Sequence, residues 1–180
     1  MAAPASGLIE AGIHRRLLLR QVLVFGGITL AICTANIFTA LSNYARDGVH
    51  LAWWEPTLWE YSSGAMILAL VPAIAWLYRR APVTAPTWRW AVPLHLVVTP
   101  VFSLIHVGGM VLLRKLGYAL MHAHYHFGAW WPDWFYEYRK DLVAYALILG
   151  GLQAFRTYRM WLETQMTDPP VPAQAPAAST

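Results

Sequence analysis

The segment Trp90–Leu113, WAVPLHLVVTPVFSLIHVGGMVLL, contains no Asp, Glu, Lys or Arg and is long enough to cross a lipid bilayer. A hydrocarbon core of about 30 Å requires roughly 20 helical residues. Because backbone amides find no water inside lipid, such a segment must be a helix that satisfies its own hydrogen bonds. Three further apolar segments are also long enough, near Val22–Leu41, Tyr61–Tyr78 and Leu142–Tyr158. The sequence therefore predicts an all-α polytopic membrane protein, a bundle of four transmembrane helices.

The overall composition agrees with this class. Hydrophobic residues make up 58% of the 180 residues, charged residues make up 12%, and the mean hydropathy is +0.41, which is more apolar than a typical soluble domain. The net charge of +4 comes from arginines and lysines near helix ends rather than along one helix face, so we expect no direct binding of nucleic acid. The single cysteine, Cys33, lies inside the first span, which excludes a disulfide framework and a thiolate metal site.

The distribution of positive charge predicts the topology. Arginines flank the first span, occupy the second connection and follow the last span, whereas the first connection is richer in acidic residues. By the positive-inside rule, both termini of this multi-pass protein are predicted to lie in the cytoplasm. The third connection is less clear, because it contains basic residues near helix ends that can extend to the headgroups. Tryptophans near the ends of the spans fit an interfacial aromatic belt in the outer connections.

The chain divides into three parts. Residues 1–14 are predicted to be flexible or to form a short surface helix, 15–163 form the four-helix transmembrane domain, and 164–180 form a Pro/Ala-rich tail or linker. A cleaved signal peptide is the alternative for the N-terminus, but the apolar run is longer than a signal peptide requires and lacks a clear cleavage site. The tail is typical either of a spacer before another domain or of an ordinary disordered terminus.

Two histidines lie on the third span. His95 and His106 are eleven positions apart, which directs them to nearly the same side of a helix but separates them by about 16 Å. They are therefore too far apart to share one metal ion. Each could be an axial ligand of haem only with a facing histidine, and the other predicted spans contain none. Hydrogen bonding within the bundle is the simpler role for both.

A second group of histidines follows the third span. In the pattern His122-x-His124-x-His126, the three imidazoles share one face if the segment is extended. They could then bind Zn²⁺ or Cu²⁺, with Asp133 or Glu137 as a further ligand. The alternative is a solvated or pH-responsive loop.

The segment before the last span is rich in charge. Asp141 is predicted to cap that helix, and Glu137 is predicted to pair with Arg114, Arg139 or Lys140. The sequence contains no evident glycine-rich phosphate loop, Ser/His/Asp arrangement or inward-facing carboxylate pair. We therefore expect no enzymatic activity and no resident cofactor.

Four scattered motifs together resemble a known bacterial module. They are Trp54-Glu55-Pro56-x-x-Trp59-Glu60-x-Ser62-Ser63, Arg79-Arg80-x-Pro82, Phe102-Ser103-x-x-His106-Val107-x-x-Met110-x-x-x-Arg114, and Tyr136-Glu137-Tyr138-Arg139-Lys140-Asp141-x-x-x-Tyr145. The chain resembles, over roughly Arg15–Arg159, the N-terminal four-helix transmembrane sensory domain that precedes LytTR-type DNA-binding domains in proteobacterial regulators. The resemblance implies an inner-membrane sensor with a cytoplasmic output. No LytTR domain follows the linker in this sequence, so transcription-factor activity is not carried over.

The hypothesis that follows is a sensory or regulatory module, in contact with membrane lipid, that passes a periplasmic or membrane signal to the cytoplasm. We expect a homodimer and a cytoplasmic LytTR-type regulator as partners. The candidate sensing residues are Glu55, Glu60, His106, Arg114, Glu137, Arg139 and Asp141. The alternative is a haem- or metal-binding redox protein that uses His95, His106 and the His122–His126 group, and a structural membrane subunit is a third possibility.

Overall fold

The computed structural model describes the backbone of residues 4–167 and the side chains of residues 16 and 19–165. This part of the chain forms four α-helices and no strand. They are α1 (Pro4–Arg46), α2 (Trp54–Arg80), α3 (Trp88–Leu120) and α4 (Trp130–Thr167). The all-α prediction is confirmed, and each of the four predicted spans lies inside one of the helices.

The helices are longer than the predicted spans, and this corrects the prediction of two aromatic outer loops. The segment that begins at Trp130 forms the first turns of α4, and Trp54 begins α2. Both segments carry an early proline, Pro132 and Pro56. An early proline is tolerated because the first amides of a helix have no partner within the helix. Only residues 47–53 and 121–129 connect the helices at this end.

Two of the helices end in the same hydrogen-bond pattern. At the end of α1, the amides of Gly48 and Val49 donate to the carbonyls of Ala45 and Tyr44, and Gly48 has a φ of 75°. These are the two bonds of a Schellman motif with a left-handed residue just past the helix. The end of α3 repeats the pattern with His122 at the left-handed position, with a φ of 54°. His122 therefore helps to end a helix, a role that its place in the histidine pattern did not suggest.

Both terminal segments of the helical domain, 1–14 and 164–180, differ in part from their predicted structure. Because α1 begins at Pro4, most of the segment 1–14, which was predicted to be flexible or a short surface helix, belongs to a continuous helix of 43 residues. Likewise, α4 extends to Thr167 and includes the first residues of the predicted tail. The rest of that Pro/Ala-rich segment, 168–180, lies outside the described residues.

The bundle is organised around α2 and α3. Helix α2 packs against α1, α3 and α4, and α3 also packs against α4. One apolar cluster joins these helices and consists of Ile74, Tyr78, Phe102, Tyr145, Ile148 and Leu152. A second cluster, Val107, Met110 and Val111, packs against Met66 and Trp134. Met110 is thus a packing residue in the core.

Helix α3 buries several polar side chains along with apolar ones such as Val107 and Met110, and it exposes many of its large apolar side chains. The buried face carries His95, Thr99, Ser103 and His106, while Val97 and Leu112 are 72% and 59% exposed on the outer face. A water-soluble bundle has the opposite arrangement. Three helices, Leu19–Arg46, Trp54–Arg80 and Trp88–Leu120, are long and apolar enough to cross a membrane. Helix α4 does not meet the same criterion in the described residues, so the span near Leu142–Tyr158 stays a prediction.

Helices α1 and α2 pack closely against each other at Gly64. A Cβ atom added there would lie 2.7 Å from the Sγ of Cys33 and 3.0 Å from a methyl carbon of Thr29. Cys33 is buried, and its thiol donates a hydrogen bond to the carbonyl oxygen of Glu60. The two helices therefore pack through a glycine that no larger residue can replace without movement.

We expect Gly64→Ala to reduce the free energy of unfolding by about 1–3 kcal/mol, because it overpacks this contact. Gly27→Ala is the matched control, since a Cβ there meets nothing within 4 Å. Unfolding of the purified protein in mixed detergent micelles measures both effects. The additional change Cys33→Ala removes the atom nearest to the new methyl group and should restore part of the loss. A Gly64→Ala variant as stable as Gly27→Ala would contradict this account.

Candidate functional site

A buried acid–base pair joins α3 to α4. The Nδ1 atom of His106 lies 2.8 Å from the Oδ1 atom of Asp141, and only 2% of each side chain is exposed. Nδ1 makes no hydrogen bond of regular geometry, so the contact is an electrostatic one at ion-pair distance. Two titratable groups with so little access to water are costly to bury unless their partners compensate.

Two serines complete the environment of this pair. The hydroxyl of Ser103, also on α3, donates a hydrogen bond of 2.6 Å to the other carboxylate oxygen of Asp141. On α2, the Oγ atom of Ser63 lies 3.1 Å from the Nε2 atom of His106. The polar chain Ser63–His106–Asp141–Ser103, which we call the buried relay, therefore links α2, α3 and α4.

The position of Asp141 corrects one prediction. Asp141 was predicted to cap the last helix, but α4 begins at Trp130 and Asp141 lies well inside it. Its carboxylate faces α3 instead of the amides of a helix terminus. The prediction failed because the aromatic residues before Asp141 were assigned to a loop.

Chemically, the buried relay holds a carboxylate, an imidazole and two hydroxyls together, through a hydrogen bond at Asp141, a polar contact at His106 and the electrostatic contact between these two residues. It also brings together a serine, a histidine and an aspartate in the order found in nucleophilic sites, an arrangement that the sequence analysis did not find. One signal was available, because Ser103 and His106 are three positions apart on an apolar helix and must share a face. The partner residues on α2 and α4 could be identified only from the packing of the helices.

Nearer the connecting segments, Arg114 forms a second polar centre. Its Nε donates to the hydroxyl of Ser62, and its two terminal nitrogens donate to the carbonyl oxygen of Trp59 and the hydroxyl of Tyr125. The guanidinium also lies 5.7 Å from the centre of the Tyr125 ring. Arg114 of α3 is thereby connected to α2 and to the segment 121–129.

Tyr118 extends this centre toward the start of α2. Its hydroxyl donates to a carboxylate oxygen of Glu55 at 2.9 Å and accepts from the indole nitrogen of Trp59 at 2.8 Å. The Tyr118 ring also packs against the rings of Trp54 and Tyr125. We call Glu55, Trp59, Arg114, Tyr118 and Tyr125 the outer cluster.

The remaining sensing candidates lie apart from both groups. Glu60 accepts a hydrogen bond from Asn36 of α1. Glu137 pairs with Lys140 at 2.7 Å, one of the three partners that the sequence suggested, and Arg139 lies over the rings of Phe135 and Tyr136. The structure thus places His106 with Asp141 and Arg114 with Glu55, and it separates Glu60, Glu137 and Arg139 from them.

His95 forms a third buried contact between helices. Its Nδ1 lies 2.8 Å from the hydroxyl of Tyr145, and its Nε2 lies 3.0 Å from the carbonyl oxygen of Ala81. Both ring nitrogens therefore have protein partners, as do those of His106. Neither histidine presents a free nitrogen to a haem iron in this arrangement.

The histidines after α3 follow the expected alternation. His122, His124 and His126 are exposed, while Tyr125 and Phe127 turn toward the bundle. In the described part of the chain, however, no three His, Cys, Asp or Glu side chains are grouped so that they could hold a metal ion. The three imidazoles are therefore all exposed, but they do not converge on a position where one metal ion could bind.

Comparisons with known proteins give no further guidance. No protein-family model matches the chain, and neither the curated proteins nor the solved structures include a significant match. The function must therefore be argued from the contacts described above.

Proposed function

We propose that this chain is a non-enzymatic sensory module of a bacterial inner membrane, in which the buried relay holds α2, α3 and α4 in one of two arrangements. The observation that carries the proposal is the His106–Asp141 contact of 2.8 Å between two almost completely buried side chains. Ionisable groups within a membrane are expensive and usually serve a function. Such a pair is well suited to a switch, because it is favourable in only one packing of the helices.

The proposal takes lipid as the surroundings of the bundle. The exposed apolar side chains on α1 and α3 fit this view, since patches of this kind are unfavourable in water. Helix α4 is proposed as the fourth span, because its residues Tyr145, Ile148 and Leu152 belong to the apolar cluster shared with α2 and α3. With four spans, both termini lie in the cytoplasm by the distribution of arginines.

The outer cluster is the proposed entry point of the signal. Arg114 binds the hydroxyl of Ser62, and the neighbouring Ser63 contacts His106. A change in the segment 121–129 would alter the contact of Tyr125 with Arg114, and adjacent residues of α2 would carry the change to the buried relay. The output is proposed to be a cytoplasmic LytTR-type regulator bound by a homodimer of this chain, on the basis of the motif resemblance.

A spin-label experiment tests whether the bundle has two states. Labels replace Trp88 and Trp161, two exposed residues of α3 and α4, in the full chain reconstituted in lipid nanodiscs with Cys33 changed to alanine. We expect two discrete distances whose positions are constant and whose proportions change with His106→Phe, as a population shift requires. His124→Phe, at an exposed loop histidine, is the control and should leave the proportions unchanged. A single distance in all variants would exclude the two-state proposal.

A second candidate function, an intramembrane serine hydrolase, is favoured by the Ser63–His106–Asp141 geometry. Against it, Ser63 lies inside the continuous helix α2. The neighbouring amides are therefore committed to helical hydrogen bonds and cannot form an oxyanion hole. Labelling by a fluorophosphonate probe distinguishes the two functions. Labelling that Ser63→Ala abolishes and Ser62→Ala retains would favour the hydrolase, whereas we expect no labelling of Ser63.

A further inference from the structure

A basic cavity lies between α1, α2 and α4, at the end of the bundle where α2 ends. Its volume is about 570 Å³, and its polar lining consists of Gln21, Tyr78, Arg79, Arg156, Arg159 and Glu163. Three guanidinium groups from two helices therefore border one space. The site is remote from the outer cluster, because Arg79 and Glu55 lie at opposite ends of α2.

In the described part of the chain, this cavity has three guanidinium groups and one carboxylate in its lining. Arg159 lies 3.8 Å from the carboxylate of Glu163, which is the only acidic residue of the lining. Arg79 and Arg156 make no ion pair with any carboxylate in the described part of the chain. Two guanidinium groups at a membrane-facing position thus remain available to an anion, and their forked donors suit the oxygens of a phosphate.

The apolar part of the lining indicates the source of that phosphate. Ala75, Leu152 and Met160 border the same cavity. A second cavity of about 340 Å³, lined mainly by apolar residues of α3 and α4, shares Tyr78 with it. The hydroxyl of Tyr78 donates a hydrogen bond to Gln153 at this boundary. A basic space beside an apolar one fits a charged headgroup joined to a hydrocarbon chain better than a free inorganic anion.

We propose that the basic cavity binds the phosphate of an anionic phospholipid, with Arg79 and Arg156 as its main ligands and an acyl chain against the adjoining apolar cavity. This inference rests on the membrane embedding put forward above. It gives the end of the bundle at which α2 ends a site through which lipid composition acts on α2 and α4.

Native mass spectrometry of the full chain, released from nanodiscs, tests the proposal. With phosphatidylglycerol mixed into phosphatidylcholine, we expect the anionic lipid to be retained preferentially. The double variant Arg79→Gln/Arg156→Gln should weaken this retention about tenfold or more, because each guanidinium–phosphate contact is a charge-assisted bond. Arg80→Gln is the matched control, since Arg80 is the neighbour of Arg79, lies over Trp76 and does not line the cavity.

Three results would overturn the proposal. One is equal retention by the double variant and the wild type. Another is an equal loss in Arg80→Gln, which would indicate a diffuse attraction of the surface. The third is competition by millimolar inorganic phosphate that matches the lipid, which would make the free anion the ligand. A chain that is recovered without detergent would instead contradict the membrane proposal itself, so the two failures are distinguishable.

Discussion

Asp141→Leu is expected to reduce the free energy of unfolding by about 3–5 kcal/mol, because it leaves His106 buried without its acidic partner. The same change also leaves the hydroxyl of Ser103 without its acceptor. His106→Leu should be similarly damaging, since it isolates the carboxylate. The double variant should be more stable than either single variant, because two apolar side chains of similar size can replace a buried pair at little cost. Unfolding in mixed micelles measures all three.

Glu137→Gln on the same helix serves as the control for this cycle. The side chain of Glu137 is 13% exposed and that of its partner Lys140 is 57% exposed, and we expect a pair with one partner in solvent to contribute about 1 kcal/mol. If Asp141→Leu costs no more than Glu137→Gln, or if the losses from Asp141→Leu and His106→Leu simply add in the double variant, the buried relay does not couple α3 to α4.

Arg114→Met is the second change for which we expect a large effect, a loss of about 3 kcal/mol, because hydrogen bonds to charged groups each contribute up to that amount. The substitution removes the Arg114 donors from the hydroxyl of Ser62 and from the carbonyl oxygen of Trp59, which keeps only the Ser62 hydroxyl as a side-chain donor. Arg114→Lys should fall between the wild type and the methionine variant, since an ammonium cannot reproduce the fork of three bonds.

The effect of Arg114 should also be visible in the segment 121–129, which Tyr125 ties to it. Limited cleavage by chymotrypsin at Tyr125 and Phe127 should accelerate in Arg114→Met. Lys115→Met is the control, because Lys115 is exposed and should change stability by less than about 0.5 kcal/mol. Equal cleavage of the two variants would mean that Arg114 does not hold the segment in place.

The helices were predictable from sequence, because an apolar segment long enough to cross a membrane has to form a helix there. The segment Trp90–Leu113 predicted most of α3 in this way. The ends were not predictable, since hydropathy reports the thickness of the apolar layer and not where a helix stops. Trp130 and Trp131 could belong to an interfacial loop or to a helix that extends beyond the lipid, and the structure has the helix.

Individual residues of the candidate site could be predicted from the sequence, but the contacts between them could not. His106 and Asp141 were both identified, because polar groups near apolar spans are rare enough to stand out. Their pairing depends on the register between α3 and α4, which packing determines and one sequence does not reveal. Ser103 carried one signal, its spacing of three positions from His106, whereas Ser63 carried none of its own, since serine is common in membrane helices. Glu60, Glu137 and Arg139 were predicted to belong to the same sensing network as His106 and Asp141. In the structure, these three residues contact other side chains.

Ser62 and Ser63 are consecutive residues of α2, and consecutive side chains of a helix point about 100° apart around its axis. Ser62 accepts a hydrogen bond from Arg114, and Ser63 contacts His106. These two contacts therefore hold α2 from two directions at the same position along its axis. Rotating α2 about its long axis, or sliding it along that axis, would disturb both contacts together, because both lie at the same level of the helix. A tilt of α2 that pivots at Ser62 and Ser63 would disturb them least, so we expect the movement of α2 in the proposed two-state module to be a tilt.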